Sequence, residues 1–226
     1  MMTELDRSDR TTLKRIPERG HFDRASINAI IDEAMVCHVG IVDESGRPVV
    51  IPTFHGRDGD DLLIHGSAAS RLLRTACNTE ICVTITLIDS LVLARTAFHH
   101  SANYRSVMIF GVPEQITDDA EADRALGILV EALVPGRMAE VRPNTAKEIK
   151  ATAVLRLPIT EASAKIRDAD PLDDEEDMDS AVWAGLLPIT TVFGEPRTAA
   201  DMRVDVPVAT SATNYNRPRR AAGEID

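Results

Sequence analysis

Aromatic residues and cysteines are scarce in this chain, and no side-chain pattern typical of a metal site is present. Phe, Trp and Tyr make up 4% of the 226 residues while all hydrophobic residues make up 44%, so the core has to be aliphatic. The three cysteines, Cys37, Cys77 and Cys82, lie inside apolar segments and are expected to be buried thiols rather than disulfides. No metal site is predicted.

Basic residues and long apolar runs are also lacking. The formal net charge of −11 argues against nucleic acid as the main partner and against binding to anionic membrane surfaces. The sequence contains no apolar run of about 18 residues, so no transmembrane helix is predicted. Residues 1–24 are charged and lack the apolar core of a signal peptide, so a soluble, cytoplasmic protein is expected.

Apolar periodicity and turn signals predict a mainly β protein of the α+β class. The predicted helices begin at residues 23, 68 and 118, and the predicted strands span residues 35–42, 47–55, 61–65, 81–93, 104–116 and 151–166. The hairpin connections are too short for parallel crossovers, and no dinucleotide or P-loop motif is present. An antiparallel β-barrel with flanking helices is therefore the expected fold.

Composition divides the chain into four segments. Residues 1–22 are predicted to form an N-terminal arm, and residues 23–167 form the barrel domain. Residues 168–204 contain an acidic loop and a C-terminal extension expected to pack on the barrel, and residues 205–226 are predicted to be a flexible tail. The eight carboxylates of residues 168–179 are interpreted as a solvated loop, since they lack the ligand spacing of an EF-hand.

Residues 62–71 carry the strongest chemical signal. A strand runs into Gly66 and Ser67 and then into a helix, whose first backbone N–H groups can bind an anion. Ser67 and Ser70 add hydroxyl donors, and Arg71, predicted one turn into the helix, adds a guanidinium suited to phosphate. From spacing alone, an ordinary capped helix with a surface arginine explains the segment equally well.

These residues resemble the phosphate turn of the pyridoxamine 5'-phosphate oxidase-like superfamily, the FMN-binding split β-barrels. The match is closer to the branch that contains flavin-nucleotide-binding and nitroimidazole-resistance proteins. The segments that carry the resemblance span residues 38–48, 50–53, 65–67, 70–73, 91–95, 98–101 and 103–107. Leu72 departs from the vitamin B6 oxidases, which have a lysine directly after the Ser-Arg pair.

The resemblance implies an FMN site between the two subunits of a homodimer. Pro52 and Thr53 would present backbone groups to the isoalloxazine ring, and Thr84 would reach the cofactor from its strand. The phosphate ligands implied are His65, Gly66, Ser67, Ser70 and Arg71. Tyr104 and Arg105 would lie near the dimer interface, and Lys165, Arg167 and Trp183 would reach the partner's cofactor.

Two functions follow from this resemblance. The first is an FMN-dependent oxidoreductase acting on a small redox-active substrate, with His65 donating a proton or orienting the substrate. The second is a carrier or sensor without turnover that binds a flavin, FMN or FAD, or haem held by a histidine. In the second case His65 has no chemical role beyond binding.

Overall fold

The computed structural model describes residues 4–77 and 79–217. The helices are α1 (Arg24–Glu33), α2 (Arg71–Ala76), α3 (Asp119–Leu133), α4 (Ala146–Ala151) and α5 (Thr210–Thr213). The strands are β1 (Gly20–His21), β2 (Val36–Val42), β3 (Pro48–Asp58), β4 (Asp61–Ser67), β5 (Ile81–Leu93), β6 (Ser101–Gly111), β7 (Glu114–Gln115), β8 (Thr152–Pro158), β9 (Glu161–Arg167) and β10 (Gly185–Pro188).

All ten strands described belong to one antiparallel sheet that curves into an open barrel. The strand order is β1-β9-β6-β5-β2-β3-β4-β8-β7, with β10 added beside the far end of β5. Strand β3 belongs to both halves, because Pro48–Phe54 pairs with β2 while residues 55–58 pair with β4. The predicted split barrel with flanking helices is confirmed.

The point where β3 changes partners is tightly packed. The fully buried His55 donates its Nε2–H to the Ile31 carbonyl of α1 over 2.9 Å. Next to it, a Cβ at Gly56 would lie 3.2 Å from the Cβ of Ala132, so α3 packs almost directly on the strand backbone. Such close approach requires small residues, since well-packed interiors leave no spare volume.

The barrel interior is aliphatic, as the composition predicts. Its central cluster combines the inward side chains of α1 with those of both sheet halves. The largest fully buried members are Ile27, Ile30, Ile31, Leu62, Ile64, Ile85, Ile109, Leu155, Leu157 and Ile159. Within the described residues, no helix is long and apolar enough to cross a membrane.

Helix starts agree better with the sequence than strand ends do. Asp23 and Asp118 cap α1 and α3, each accepting a hydrogen bond from the backbone N–H three residues on. The single strand predicted at 151–166 is wrong, because a turn after Pro158 divides it into β8 and β9 in opposite sheet halves. The strand predicted at 104–116 also breaks, since Pro113 cannot donate to a ladder.

The N-terminal segment is anchored to the barrel. Arg10 forms ion pairs with Glu80 at 2.7 Å and Glu161 at 2.5 Å, and its guanidinium lies over the Phe110 ring. Leu5 and Thr11 are buried, and β1 pairs with β9. The segment predicted as an arm thus covers one edge of the sheet.

Near its end the chain returns to the helices. Arg217 is 5% exposed and donates to the carbonyls of Ala132, Asp32, Glu33 and Ala34 over 2.6–3.2 Å. One guanidinium therefore satisfies carbonyls at the C-terminal ends of two helices. The sequence predicts a flexible tail from residue 205, but Arg217 is fastened here; residues 218–226 lie outside the described residues.

Arg217→Ala is expected to lower the free energy of unfolding by about 2 kcal/mol, because buried carbonyls lose a charged donor. Chemical denaturation followed by circular dichroism measures the change. Arg15→Ala, which removes an exposed arginine, is the control and is expected to change stability by less than about 0.5 kcal/mol. Equal stability of the two variants would contradict this anchoring role.

Candidate functional site

The turn between β4 and α2 is stabilised by its own serines. The Ser70 N–H donates to the Ser67 carbonyl over 2.8 Å, and Ser67 Oγ accepts the Ala69 N–H. Ser70 is the N-cap of α2, its Oγ accepting the Leu73 N–H at 3.5 Å. Both hydroxyl oxygens act as acceptors here, so both O–H groups can still donate to an anion.

Arg71 is the first residue of α2, and the prediction that it lies one turn inside the helix is wrong. The helix begins late because Ser70, rather than the Gly-Ser pair, supplies the cap. Arg71 is exposed and has no hydrogen bond or ion pair with any residue in the described ranges. Its guanidinium is therefore available to a ligand.

A cavity of about 260 Å³ opens beside Arg71. It lies between α2 and the β2–β3 hairpin, with apolar side chains on its strand side and charged side chains at its hairpin end. The lining residues are Ile41, Asp43, Glu44, Ser45, Arg47, Val49, Ile51, Arg71 and Thr75. Arg47 is paired with Asp43 at 3.3 Å and is otherwise exposed.

His65 and Gly66 face opposite sides of β4, as adjacent strand residues must. A Cβ at Gly66 would lie 3.0 Å from Leu73 Cδ1, so packing of α2 rather than ligand approach explains this glycine. His65 faces the other side with Leu63, which packs under α3. The structure thus separates the His65 imidazole from the cavity beside Arg71, although the sequence groups them.

The His65 imidazole has no hydrogen bond to any residue that the structure describes. Its Nδ1 is buried without a partner, and the residue as a whole is only half-buried. Burial lowers the pKa of His65 below its usual 6.5, so the ring is neutral at physiological pH. A neutral imidazole of this kind can bind a metal-centred group or accept a hydrogen bond.

Pro52 and Thr84 lie on the outer face of the sheet in one cross-strand row. His38 pairs with Pro52 on one side and with Thr84 on the other, and Thr84 in turn pairs with Met108. Thr53 pairs with Cys37 and belongs to the opposite, inward-facing set. Pro52 and Thr53 can therefore share a ligand only through backbone groups, as the resemblance implies.

The same outer face carries exposed apolar side chains. Val50 is 64% exposed and Phe54 49%, and Val36, Ile88 and Met108 are also exposed. Tyr104 and Lys165 belong to this face through their pairing with Ile88 and Ser106. A contiguous apolar face on a folded domain marks an interaction surface.

Arg105 lies on the inner side of the sheet, where its guanidinium is paired with carboxylates. Its guanidinium binds Glu33 at 2.5 and 2.9 Å and Asp89 at 2.7 Å, and the residue is 9% exposed. The hydrogen bonds that Arg105 donates to the Glu33 and Asp89 carboxylates raise its pKa above the usual value. We assign Arg105 to this ion cluster, which ties α1 to the sheet.

Arg167 and Trp183 are remote from the cavity within one chain. Arg167 is buried and donates to Asn103 and to the carbonyls of Ala169 and Asp170. Trp183 is 68% exposed and precedes β10, which pairs with the far end of β5. That end lies about 30 Å along the strand from Thr84.

Sequence reasoning missed the hairpin side of the cavity. Arg47 follows an ordinary turn signal, and Ile41, Val49 and Ile51 have the pattern of any half-buried hairpin. Their approach to Arg71 is a long-range contact, which no local signal reports. His38 lies between Pro52 and Thr84 in the outer row because β2 lies between β3 and β5.

The open antiparallel barrel with flanking helices is the fold of the flavin-binding split barrels. A family model described as pyridoxamine 5'-phosphate oxidase matches residues 23–166. The chain belongs to the pyridoxamine 5'-phosphate oxidase family. No curated protein sequence matches it significantly.

Solved structures of two bacterial proteins are similar over nearly their whole length. The flavocytochrome Anf3 from Azotobacter vinelandii is 41% identical, with a TM-score of 0.87, covering 92% of this chain and 97% of that one. A FAD- and haem-binding protein from Mycobacterium smegmatis is 35% identical, with a TM-score of 0.84, covering 89% and 100%.

A third structure is more distant. It is a protein from Bacteroides thetaiotaomicron with an inferred role in 5-nitroimidazole antibiotic resistance. It is 25% identical, with a TM-score of 0.56, covering 65% of this chain and 86% of that one.

Arg105→Ala is expected to lower the free energy of unfolding by about 3 kcal/mol, because two partly buried carboxylates lose their partner. Arg142→Ala removes an exposed pair with Glu148 and is expected to cost less than about 1 kcal/mol. Denaturant titration measures both. A stable Arg105→Ala protein that has lost a bound cofactor would instead assign Arg105 to the cofactor site.

Proposed function

We propose that the chain is a redox protein that binds a flavin at Arg71 and haem at His65. The observation that carries the flavin proposal is the exposed Arg71 guanidinium, which lines the cavity at the start of the helix capped by Ser70 and has no partner among the described residues. A planar guanidinium can bind a phosphate through two parallel hydrogen bonds. The relatives named above as a flavocytochrome and as a FAD- and haem-binding protein support the same proposal.

The flavin we favour is FAD, with FMN, the cofactor expected from the sequence, as the alternative. The cavity continues from Arg71 to Arg47, whose guanidinium would exchange its pair with Asp43 at 3.3 Å for a second phosphate. Ile41, Val49 and Ile51 offer an apolar wall for a base, and Glu44 offers an acceptor for sugar hydroxyls. FMN alone would leave this hairpin end unused.

One chain supplies only part of this site, which supports a homodimer. Complete small-molecule sites measure about 300–1,000 Å³, whereas the cavity here measures about 260 Å³. The isoalloxazine ring would extend from the cavity along β3, where Pro52 and Thr53 can contact it through backbone groups. We propose that a second copy covers this part of β3 and completes the flavin site.

The haem proposal rests on His65. Haem in proteins is held by a neutral imidazole nitrogen, and the half-buried His65 ring is neutral and has no protein partner in the described residues. His65 would hold haem rather than a phosphate, since its ring is neutral and faces away from Arg71 across β4. Leu63 and Val154 lie on the same side, buried under α3, and make the surroundings of the ring apolar.

A flavin supplies hydride and single-electron chemistry, and haem supplies single-electron chemistry. The protein's own part is to bind both groups, to keep His65 neutral and to exclude water from the outer face. We therefore propose a small oxidoreductase with a small redox-active substrate, rather than a carrier without turnover. We also place it in the cytoplasm, since Cys37 and Cys82 are thiols, as is usual in reducing compartments.

Arg71→Ala is expected to weaken flavin binding by roughly 10- to 100-fold, the loss of one charge-assisted contact. Visible absorption and chromatography of the released flavin measure occupancy and distinguish FAD from FMN. Arg74→Ala, in the same helix but not in the cavity wall, is the control. Undiminished flavin in Arg71→Ala would refute the predicted phosphate site.

His65→Ala is expected to abolish the Soret band of the haem-loaded protein while leaving flavin occupancy unchanged. His100→Ala, an exposed histidine, should keep both. Because burial lowers the pKa of His65, its protonation should not displace haem until the pH falls below 6.5. A Soret band that survives in His65→Ala would show that another residue holds the haem.

A further inference from the structure

Residues 194–208, called here the C-terminal arm, extend away from the body of the protein. Every residue of the arm is exposed. Within the described chain it makes one hydrogen bond, an internal one from the Met202 N–H to the Ala199 carbonyl. The extension predicted to pack on the barrel therefore does so at β10 but not here.

Both ends of the arm are fastened to the protein. Before it, the Phe193 ring packs on Tyr215 with centroids 4.4 Å apart, and Tyr215 donates to the Leu133 carbonyl. After it, Ser211 binds Glu140 through its N–H and its hydroxyl. The fifteen residues of the arm begin and end close together on the protein surface. A chain of this length that turns back halfway can reach about 25 Å outward.

The arm has the side-chain pattern of a β-strand. Met202, Val204, Val206 and Val208 alternate with Arg203, Asp205 and Pro207, which places four apolar side chains on one face. All four are about half exposed or more, with Val204 at 66%. An apolar strand with unpaired backbone groups is a template for pairing with another chain.

The exposed area is larger than a monomer of this mass needs. The chain exposes 14244 Å², whereas a compact monomer of this mass exposes about 10,000 Å². This excess area is larger than the roughly 800 Å² that each partner buries in an interface of standard size. It lies in the range of areas that obligate dimers bury. Exposed apolar side chains of the arm and of the outer face of the sheet contribute to it.

We propose that the C-terminal arm clasps a second copy of this chain, with Met202, Val204, Val206 and Val208 facing the partner. The inference rests on the homodimer of the proposed function and adds a second contact to it. Two-fold symmetry would place two arms across one interface, each reaching the other subunit. The arm is nearly neutral, with two arginines and three carboxylates, so it can approach a chain of formal net charge −11.

Photo-crosslinking of the full-length protein tests this proposal. Benzoylphenylalanine at position 204 is expected to give a denatured band at twice the chain mass, whereas the same probe at position 141, an exposed valine outside the arm, should give none. Crosslinks formed only within one chain would overturn the proposal. So would a dimer, measured by light scattering, without any 204 crosslink.

Limited trypsin digestion gives an independent readout. Arg197 and Arg203 lie in the arm, and they should be cleaved at least tenfold more slowly in the native dimer than in the Val204→Asp, Val206→Asp double variant. Immediate cleavage in the native dimer would overturn the arm contact and leave the flavin proposal intact. A monomeric native protein would overturn the dimer and the arm contact together.

Discussion

The exchange of partners along β3 is the constraint on which the rest of the structure depends. Up to Phe54 the strand pairs with β2, and from His55 it pairs with β4. The buried His55 and the bare backbone of Gly56 make this possible, because α1 and α3 pack directly against them. Burial lowers the pKa of His55, so its ring is neutral and needs no counter-ion. Without this junction the two sheet halves could not share one aliphatic core.

The same junction positions the candidate site. Because β3 leaves β2 at Phe54, β4 carries its end, and with it Ser67, Ser70 and Arg71, back toward the β2–β3 hairpin. The cavity beside Arg71 is the space between that helix start and the hairpin. Its small size indicates that one chain presents only part of a binding surface. A second copy would supply the rest.

Local signals in the sequence predict much of this molecule, and non-local contacts account for what they miss. Asp23 and Asp118 are recognisable caps because a cap acts on its own first turn. The sequence predicts Arg71 a turn too deep in α2 because both Ser67 and Ser70 can start a helix, whereas Ser67 still pairs with Thr152 in the β4–β8 ladder and Ser70 supplies the cap. The division at Pro158 and the partners of Arg105 depend on strands far away in sequence, which periodicity cannot report.

The proposed function depends on the opposite faces of β4. Gly66 faces α2 and the cavity side, while His65 faces Leu63 and the underside of α3. A flavin phosphate held at Arg71 and haem held at His65 would therefore lie on opposite sides of β4, with the sheet backbone between them. A histidine chosen only to bind phosphate would be expected on the Arg71 side and would gain from being protonated. His65 has neither property: it lies on the opposite face, and burial favours its neutral form.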